Sequence, residues 1–416
     1  MPRPNPIVVT VLFVTTLVFM RPLAQASLAT HPALPDSTEN IHVGLIFDYR
    51  EPDLTRLQDQ VDYVWGGSPK LKGPSLPYVD YYIPFSRDGN SSHTLAYWNN
   101  SHPDWVLYQC DQKTPAYLFG NRTNIPLDIT NPLVRDYQLQ IAEEKLSVAA
   151  APGRSFNGIA WDNMSLSNVG KACGVWQGNT WVGRFTGGSP DPAYTRAIVT
   201  WAQDIYTRMK ERFPDKGIAI NYDGGVGADD PLMPYLDINL SESGFTGFSK
   251  KMLADAAWTA YVQRLEKLDE LGKGFVVINE FAAADDQAIT QAQVQWALSN
   301  YLLVKGRHSY VSITAYTPPT STSSGVQHYG YFYDRPEYHA SIGSPISARY
   351  FDRGVQRRNY SNGVVFVNPS SRETFQFTLT RSYIDLYGNE VATLVLPPTT
   401  GIVLLRAPVS RRLNDF

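Results

Sequence analysis

The sequence predicts an α/β fold: a (β/α)8 barrel of the TIM type followed by a small C-terminal antiparallel β-sandwich. Three observations predict it. Eight short β-rich runs recur up to Tyr316, helical patterns lie between most of them, and beyond about Tyr350 short runs continue with turns but no helices.

The eight runs are His42–Tyr49, Tyr78–Phe85, Asp104–Asp111, Gly158–Met164, Ile218–Gly224, Leu236–Gly244, Phe275–Glu280 and Ser309–Tyr316. Most are apolar on both faces, as strands of a covered parallel sheet are. Asp53–Val64 follows the first run with a helical pattern, and Asn131–Ala149 opens on an Asn-Pro pair suited to a helix start. Pro192–Phe213, Phe248–Leu271 and Asp285–Val304 carry apolar residues at three- and four-residue spacing. The series is weakest at Arg87–His102, which is polar, and at the Pro-broken Ala228–Tyr235, where a helix is stunted or absent. A doubly wound open sheet is the competing architecture, but no G-x-G-x-x-G or Walker pattern follows a strand.

Past Tyr350 the runs Val355–Tyr360, Gly363–Asn368, Glu373–Leu379, Tyr383–Leu386, Glu390–Leu396 and Gly401–Leu405 are separated by turn residues such as Asn362-Gly363, and so should pair antiparallel. At the other end, Arg3 precedes the uncharged run Ile7–Met20, and Leu23-Ala24-Gln25-Ala26 supplies a small-residue cleavage site. The expected division is a signal peptide (1–26), the barrel (27–348), the β-sandwich (349–408) and a tail (409–416), in a secreted or periplasmic protein. No later segment reaches the ~18 consecutive apolar residues of a membrane helix. The mature chain is expected to have no membrane span and to be a monomer.

Lys and Arg number 36 against 39 Asp and Glu, a formal charge of −3, which offers no basic footprint for nucleic acid. Aromatic residues reach 12 %, with 25 Tyr, 18 Phe and 9 Trp, and flat rings either fill a core or stack on sugar faces. Cys110 and Cys173 are an even pair in an exported chain, open to a disulfide.

Barrels of this kind do their chemistry at the carboxyl ends of the strands. Here those ends are acidic: Asp48, Asp111, Asp162, Asp223, Glu242 and Glu280. Side chains alternate faces along a strand. Asp162 shares a face with Gly158 and Ala160, Asp223 with Ala219 and Asn221, and Asp48 with Gly44 and Ile46, so these three should point inward. Glu242 shares parity with Leu236, Ile238 and Leu240; if that apolar set faces the helices, a bulge at Ser241 must re-aim it. The seventh run is apolar on both faces, so parity does not place Glu280.

Paired carboxylates at such a rim, in an aromatic-rich exported chain, point to glycoside hydrolysis: one carboxyl stays protonated to assist the leaving oxygen, the other stays ionised. The Gly-rich stretch Gly170–Gly188 carries Trp176 and Trp181, read as a loop offering rings to a sugar. The seven His residues form no pair at metal-ligand spacing, and Gly-x-Ser-x-Gly is absent, so neither a metal nor another cofactor is expected.

Five phrases spread over nearly the whole mature chain carry a resemblance. They are PLDITNPLVRDY (Pro126–Tyr137), GIAWDNM (Gly158–Met164), VVINE (Val276–Glu280), IGSPI (Ile342–Ile346) and RNYSNGVVFVNPS (Arg358–Ser370), the last followed by YIDLYGNEV (Tyr383–Val391). With them the chain resembles the fifteenth family of the hypothetical glycosyl hydrolase-like group, itself similar to α-galactosidase-like and polygalactosaminidase-like barrels. The resemblance implies a TIM barrel closed by a C-terminal β-domain, and hydrolysis of a glycosidic bond. It implies an Asp nucleophile after the fourth strand and an acid/base carboxylate after the sixth, positions matched by Asp162 and Glu242, with Glu280 in reserve.

The expectation is an O-glycoside hydrolase acting on a poly- or oligosaccharide. Asp162, Glu242 and Glu280 are the catalytic candidates. Asp48, Asp111, Asn163 and Asp223 are candidates to hold sugar hydroxyls, and Tyr49, Trp176 and Trp181 to stack on sugar rings. A non-catalytic carbohydrate-binding barrel and a metal-assisted deacetylase or esterase are the rival readings.

Overall fold

The computed structural model describes residues 34–68, 70–71, 77–88, 90–118, 121–147, 155–222, 229–320 and 325–407. The expected signal peptide, the C-terminal tail and Asp223 lie outside the described residues. Eight strands run parallel and side by side in chain order: β1 (Gly44–Ile46), β2 (Tyr63–Trp65), β3 (Tyr78–Pro84), β4 (Gly158–Asp162), β5 (Gly217–Asn221), β6 (Ile238–Ser241), β7 (Gly274–Ala282) and β8 (Ser309–Thr317). Val43, just before β1, bridges Val311 of β8 in parallel, and the Val311 N–H donates to the His42 carbonyl at 2.9 Å. The sheet therefore curls until its first strand meets its eighth. Val326–Gln327 adds a ninth strand, antiparallel to the end of β8. The architecture is mixed α/β, built on this curled sheet.

Two expected elements are reassigned. Asp53 caps a helix of only Leu54–Gln60 (α1), its carboxylate accepting from the Thr55 N–H at 3.0 Å, and the chain then enters β2, a strand of three residues hidden inside the helical pattern. Asp104–Asp111 is not a strand of the curled sheet: Pro103–Trp105 is a 3-10 turn, and Tyr108–Gln109 pairs antiparallel with Ala172–Gln177. Leu95–Ser101 (α2) is a helix within the polar stretch where the series read weakest, whereas Pro132–Ser147 (α3), Pro192–Arg212 (α4), Asp255–Glu270 (α5) and Gln291–Val304 (α6) follow the predicted patterns, with Asp191 capping α4 and a Thr290–Gln293 capping box opening α6. Among the described residues no helix joins β2 to β3, and the connection from β5 to β6 includes the 3-10 turn Met233–Tyr235.

The two faces of the curled sheet bury separate clusters. Ile46, Tyr63, Trp65, Tyr78, Ala160, Ala219, Ile238, Leu240, Val276, Ile278 and Tyr310 pack together inside, and Tyr63 stacks on both Tyr78 and Tyr310 with centroids 5.6 and 5.3 Å apart. Ile159, Trp161, Ile218, Ile220 and Val277 face the helices. Parity along β4 and β5 thus runs as predicted. Along β6 it is the reverse of the assumption made from sequence: the apolar residues Ile238 and Leu240 point inward, and polar Asn239 meets the helical layer. There the buried Arg264 of α5 satisfies it, donating to the Asn239 side chain, to Asp230 at 2.9 Å and to the Tyr222 carbonyl at 3.4 Å. No bulge is needed to turn Glu242 inward.

The C-terminal region forms one hydrogen-bonded antiparallel sheet of six strands rather than the two packed sheets expected. Its strands β9 (Tyr350–Asp352), β10 (Val355–Tyr360), β11 (Gly363–Asn368), β12 (Phe375–Asp385), β13 (Glu390–Leu396) and β14 (Thr400–Arg406) lie in the order β9-β10-β11-β14-β12-β13. The predicted runs Glu373–Leu379 and Tyr383–Leu386 are one strand, β12, whose register against β13 slips between Thr378 and Tyr383. The sheet is tied to α6. Arg358 and Tyr360 donate to the Lys305 and Leu302 carbonyls at 2.7 and 2.6 Å, satisfying acceptors the helix end leaves open.

The segments after β3 and β4 build a small layer of their own. Ala172–Gln177 and Thr180–Gly183 form a hairpin, and a Cys110–Cys173 disulfide ties it to Tyr108–Gln109. Gly187, at φ 73°, passes so close to both sulfurs that a Cβ would overlap them.

Two outcomes follow for stability. Arg264→Ala strands the buried Asp230 carboxylate and should cost about 3–5 kcal/mol in denaturant unfolding. Asp80, wholly buried inside the sheet and accepting from the Tyr63 hydroxyl, has its carboxyl pushed up to about 7 chiefly by burial. The folded state then holds a proton that the unfolded state releases near pH ~4, so wild-type stability should fall as pH rises from there to about 7. Asp80→Asn should flatten that slope in chemical denaturation at a series of pH values.

Candidate active site

Asp162 ends β4, and Asn221 ends the neighbouring β5, at the same level of the sheet. The Asn221 Nδ2 donates to Asp162 Oδ1 at 2.8 Å and to Glu242 Oε1 at 2.8 Å. One side-chain nitrogen thus holds both carboxylates, and their facing oxygens are no farther apart than twice that distance. Asp162 also accepts on Oδ2 from the Tyr82 hydroxyl at 2.9 Å and from Asn163, its neighbour in the left-handed region at φ 59°. Burial pushes the Asp162 carboxyl above the ordinary carboxylate value, against the pull of the bonds from Asn221 and Tyr82 and the charge of Arg87. Glu242 is half-buried and so more open to solvent than Asp162.

Glu280 is fully buried on the inward parity of β7, with Val276 and Ile278. It pairs with Lys250, which lies beyond β6 at φ 57°. Burial raises the Glu280 carboxyl, and Lys250 opposes that rise. The third acid therefore has its own counter-ion and is not part of the Asn221 clamp.

The other predicted residues separate into groups. Asp48 is buried past β1, its Oδ2 accepting from the Ser68 N–H at 3.0 Å, and burial raises its carboxyl. Asp111 is exposed in a turn, where bonds from Thr114 and Lys113 hold its carboxyl down at about 2. Because its segment is not in the curled sheet, Asp111 does not join the acids of the rim. Trp176 and Trp181 are not on an irregular loop: they face each other across the hairpin at 5.6 Å and pack on the cluster of Trp98, Trp105 and Tyr108, with the Trp176 indole donating to the Gln112 carbonyl at 3.1 Å.

Aromatic rings do reach the carboxylates, by a different route. Tyr49 is 64 % exposed; Phe47 lies 5.6 Å from it, and 5.5 and 5.7 Å from Trp65 and Tyr82. The row runs from solvent to the phenol bonded to Asp162. Phe47 holds φ 62°, a costly conformation for an aromatic residue. Asn221 and Tyr82 were absent from the sequence-derived candidates, although parity alone puts Asn221 on the inward face and sets Tyr82 on one face with Tyr78 and Asp80. Among the described residues no group of three or more His, Cys, Asp or Glu could hold a metal ion, and no helix is long and apolar enough to cross a membrane.

No family model and no curated protein matches the chain. Among solved structures, it is similar to an alpha-amylase from Lactobacillus plantarum (TM-score 0.49, 11 % identity, 89 % of this chain and 99 % of that one). It is also similar to a maltogenic amylase from S. marinus (TM-score 0.43, 11 % identity, 80 % and 52 %) and to a xylosidase from Aspergillus niger (TM-score 0.38, 10 % identity, 90 % and 65 %). Identities this low transfer no residue assignment.

Proposed function

We propose that the chain is an exported, retaining O-glycoside hydrolase that cleaves an oligo- or polysaccharide at the rim of a barrel closed between β1 and β8. The observation that carries this reading is the Asn221 amide, one nitrogen at 2.8 Å from an oxygen of each acid. The two N–H directions of an amide diverge by about 120°, which sets the acceptors roughly 5 Å apart. Carboxyl groups about 5–5.5 Å apart suit direct attack on the anomeric carbon, whereas about 6.5–9.5 Å leaves room for an intervening water.

The roles follow from the surroundings. Asp162, whose three neutral donors oppose the rise that burial imposes, takes the part of the ionised acid, and it attacks the anomeric carbon to form a glycosyl ester. Glu242, nearer solvent, gives its proton to the leaving oxygen and then takes one from the water that releases the sugar. The resemblance of GIAWDNM to the fifteenth hypothetical glycosyl hydrolase-like family agrees with Asp162 in the first role. Tyr49 and Phe47 offer ring surface to the sugar, and Asn163 and Asp48 are the polar groups nearest in the chain to hold its hydroxyls. Residues 1–26 serve as the export signal, 27–348 as the catalytic barrel and 349–408 as the β-domain.

The test is a panel of polysaccharides, including α-linked galactosaminoglycans and galactans, read by release of reducing ends. Asp162→Asn and Glu242→Gln should each lower turnover about 1000-fold or more while preserving the folded state. NMR of the first product should show the anomeric configuration of the substrate. Inversion, or an Asp162→Asn variant with wild-type turnover, overturns the assignment.

A further inference from the structure

We propose that Arg87 is a positioning residue for Asp162, a buried cation that keeps the neighbouring carboxylate charged without occupying its lone pairs. The inference rests on the reading of Asp162 as the nucleophile. Arg87 opens a two-residue strand, Arg87–Asp88, that leaves the end of β3 and pairs with Ile125–Pro126. The backbone there is fixed beside Asp162: the Phe85 N–H donates to the Asp162 carbonyl at 3.0 Å, and the Leu127 N–H to that of Ser86 at 2.9 Å. The Arg87 side chain is 5 % exposed, and its Nε and Nη2 are buried with no hydrogen-bond partner.

A guanidinium buried in that state costs several kcal/mol unless a charge faces it. Three other buried carboxylates, Asp88, Asp128 and Asp191, are committed elsewhere. Asp88 accepts from the Trp98 indole at 3.0 Å and meets His93 at 2.8 Å, and Asp128 pairs with Arg184 at 3.2 Å. Asp191 accepts from the Thr186 N–H at 2.7 Å and hydroxyl at 2.8 Å. Asp162 remains. Its other neighbours are Tyr82 from β3, Asn163, Asn221 from β5 and Glu242 beyond β6; the first three are neutral and the last is an acid. The backbone bond from Phe85 to Asp162 brings the start of the Arg87 strand alongside Asp162, and the charge of Arg87 lowers the carboxyl of Asp162 and the phenols of Tyr82 and Tyr194 against the rise that burial imposes.

The missing contact has a chemical rationale. A bidentate Arg–carboxylate pair is strong, and the attacking oxygen would have to break it. Field from a short distance, in a site of low dielectric, favours the ionised acid with no bond to break.

The experiment uses the full mature chain labelled with 13C at its aspartate carboxyls, the Asp162 resonance being assigned by its loss in Asp162→Asn. In Arg87→Met the titration midpoint of Asp162 should rise by about 1 pH unit, and in Arg87→Lys it should return toward the wild-type value. The Tm of Arg87→Lys should stay near that of wild type, because the buried positive charge facing Asp162 is kept. Should Arg87→Met not fold, Arg87→Gln carries the same titration. An unmoved midpoint in the neutral variant, with Tm lowered in Arg87→Met and Arg87→Lys alike, overturns the proposal and leaves Arg87 a structural residue. The titration needs no substrate, so a wild-type protein that hydrolyses nothing sinks the hydrolase reading without touching this result.

Discussion

An amide nitrogen serves two carboxylates only when both reach it along its two N–H directions, and the end of β5 holds Asn221 where this occurs. The geometry depends on register. Ile220 stands beside Trp161 and Asn221 beside Leu240, so the amide is level with Asp162 and one inward position below Glu242. A slip of one residue in either pairing would turn the amide toward the helices and leave two acids facing each other with no donor between them. Asn221 is thus the piece that makes the acids a pair and not merely neighbours.

Three inward acids at one rim repel one another, and the protein deals with each by a different means. Asp162 is surrounded by neutral donors with a cation held back from contact, Glu280 is neutralised by Lys250, and Glu242 shares the Asn221 amide nitrogen with Asp162 and stays partly exposed. Environments that differ this much are what the separate tasks proposed for chemically similar side chains require.

Much of this was legible in the sequence, and the failures have physical causes. Acidic strand ends and the alternation in Gly158–Asp162 and Ile218–Asn221 were enough to point Asp162 inward, because one face there is made of small residues and the other of bulky ones. In β6 the same logic misled, since it took polar residues to be the inner set; the interior is instead an apolar plug, and the polar face is satisfied from α5 by Arg264, a partner far away in sequence. The strand β2 was hidden because three residues cannot establish a period of two against the helical pattern that precedes them. Trp176 and Trp181 were assigned to the sugar because a Gly-rich stretch reads as a loop, whereas cross-strand pairing makes it a hairpin that buries much of both rings. No local pattern could have identified Asn221 as a clamp, since its function exists only between strands.

The surroundings of the two acids differ, and the difference suits the roles proposed for them. The long segments after β3 and β4 are joined to each other by the Cys110–Cys173 disulfide and by strand pairing, so Asp162 and Arg87 sit beside a covalently braced wall. The described part of the connection from β5 to β6 includes the 3-10 turn Met233–Tyr235, and Glu242, just past β6, keeps partial exposure. A nucleophile must be dehydrated and held within a fraction of an ångström, whereas an acid/base group must meet water once in every cycle. A braced wall beside Asp162 and partial exposure at Glu242 are what the proposed division of roles requires.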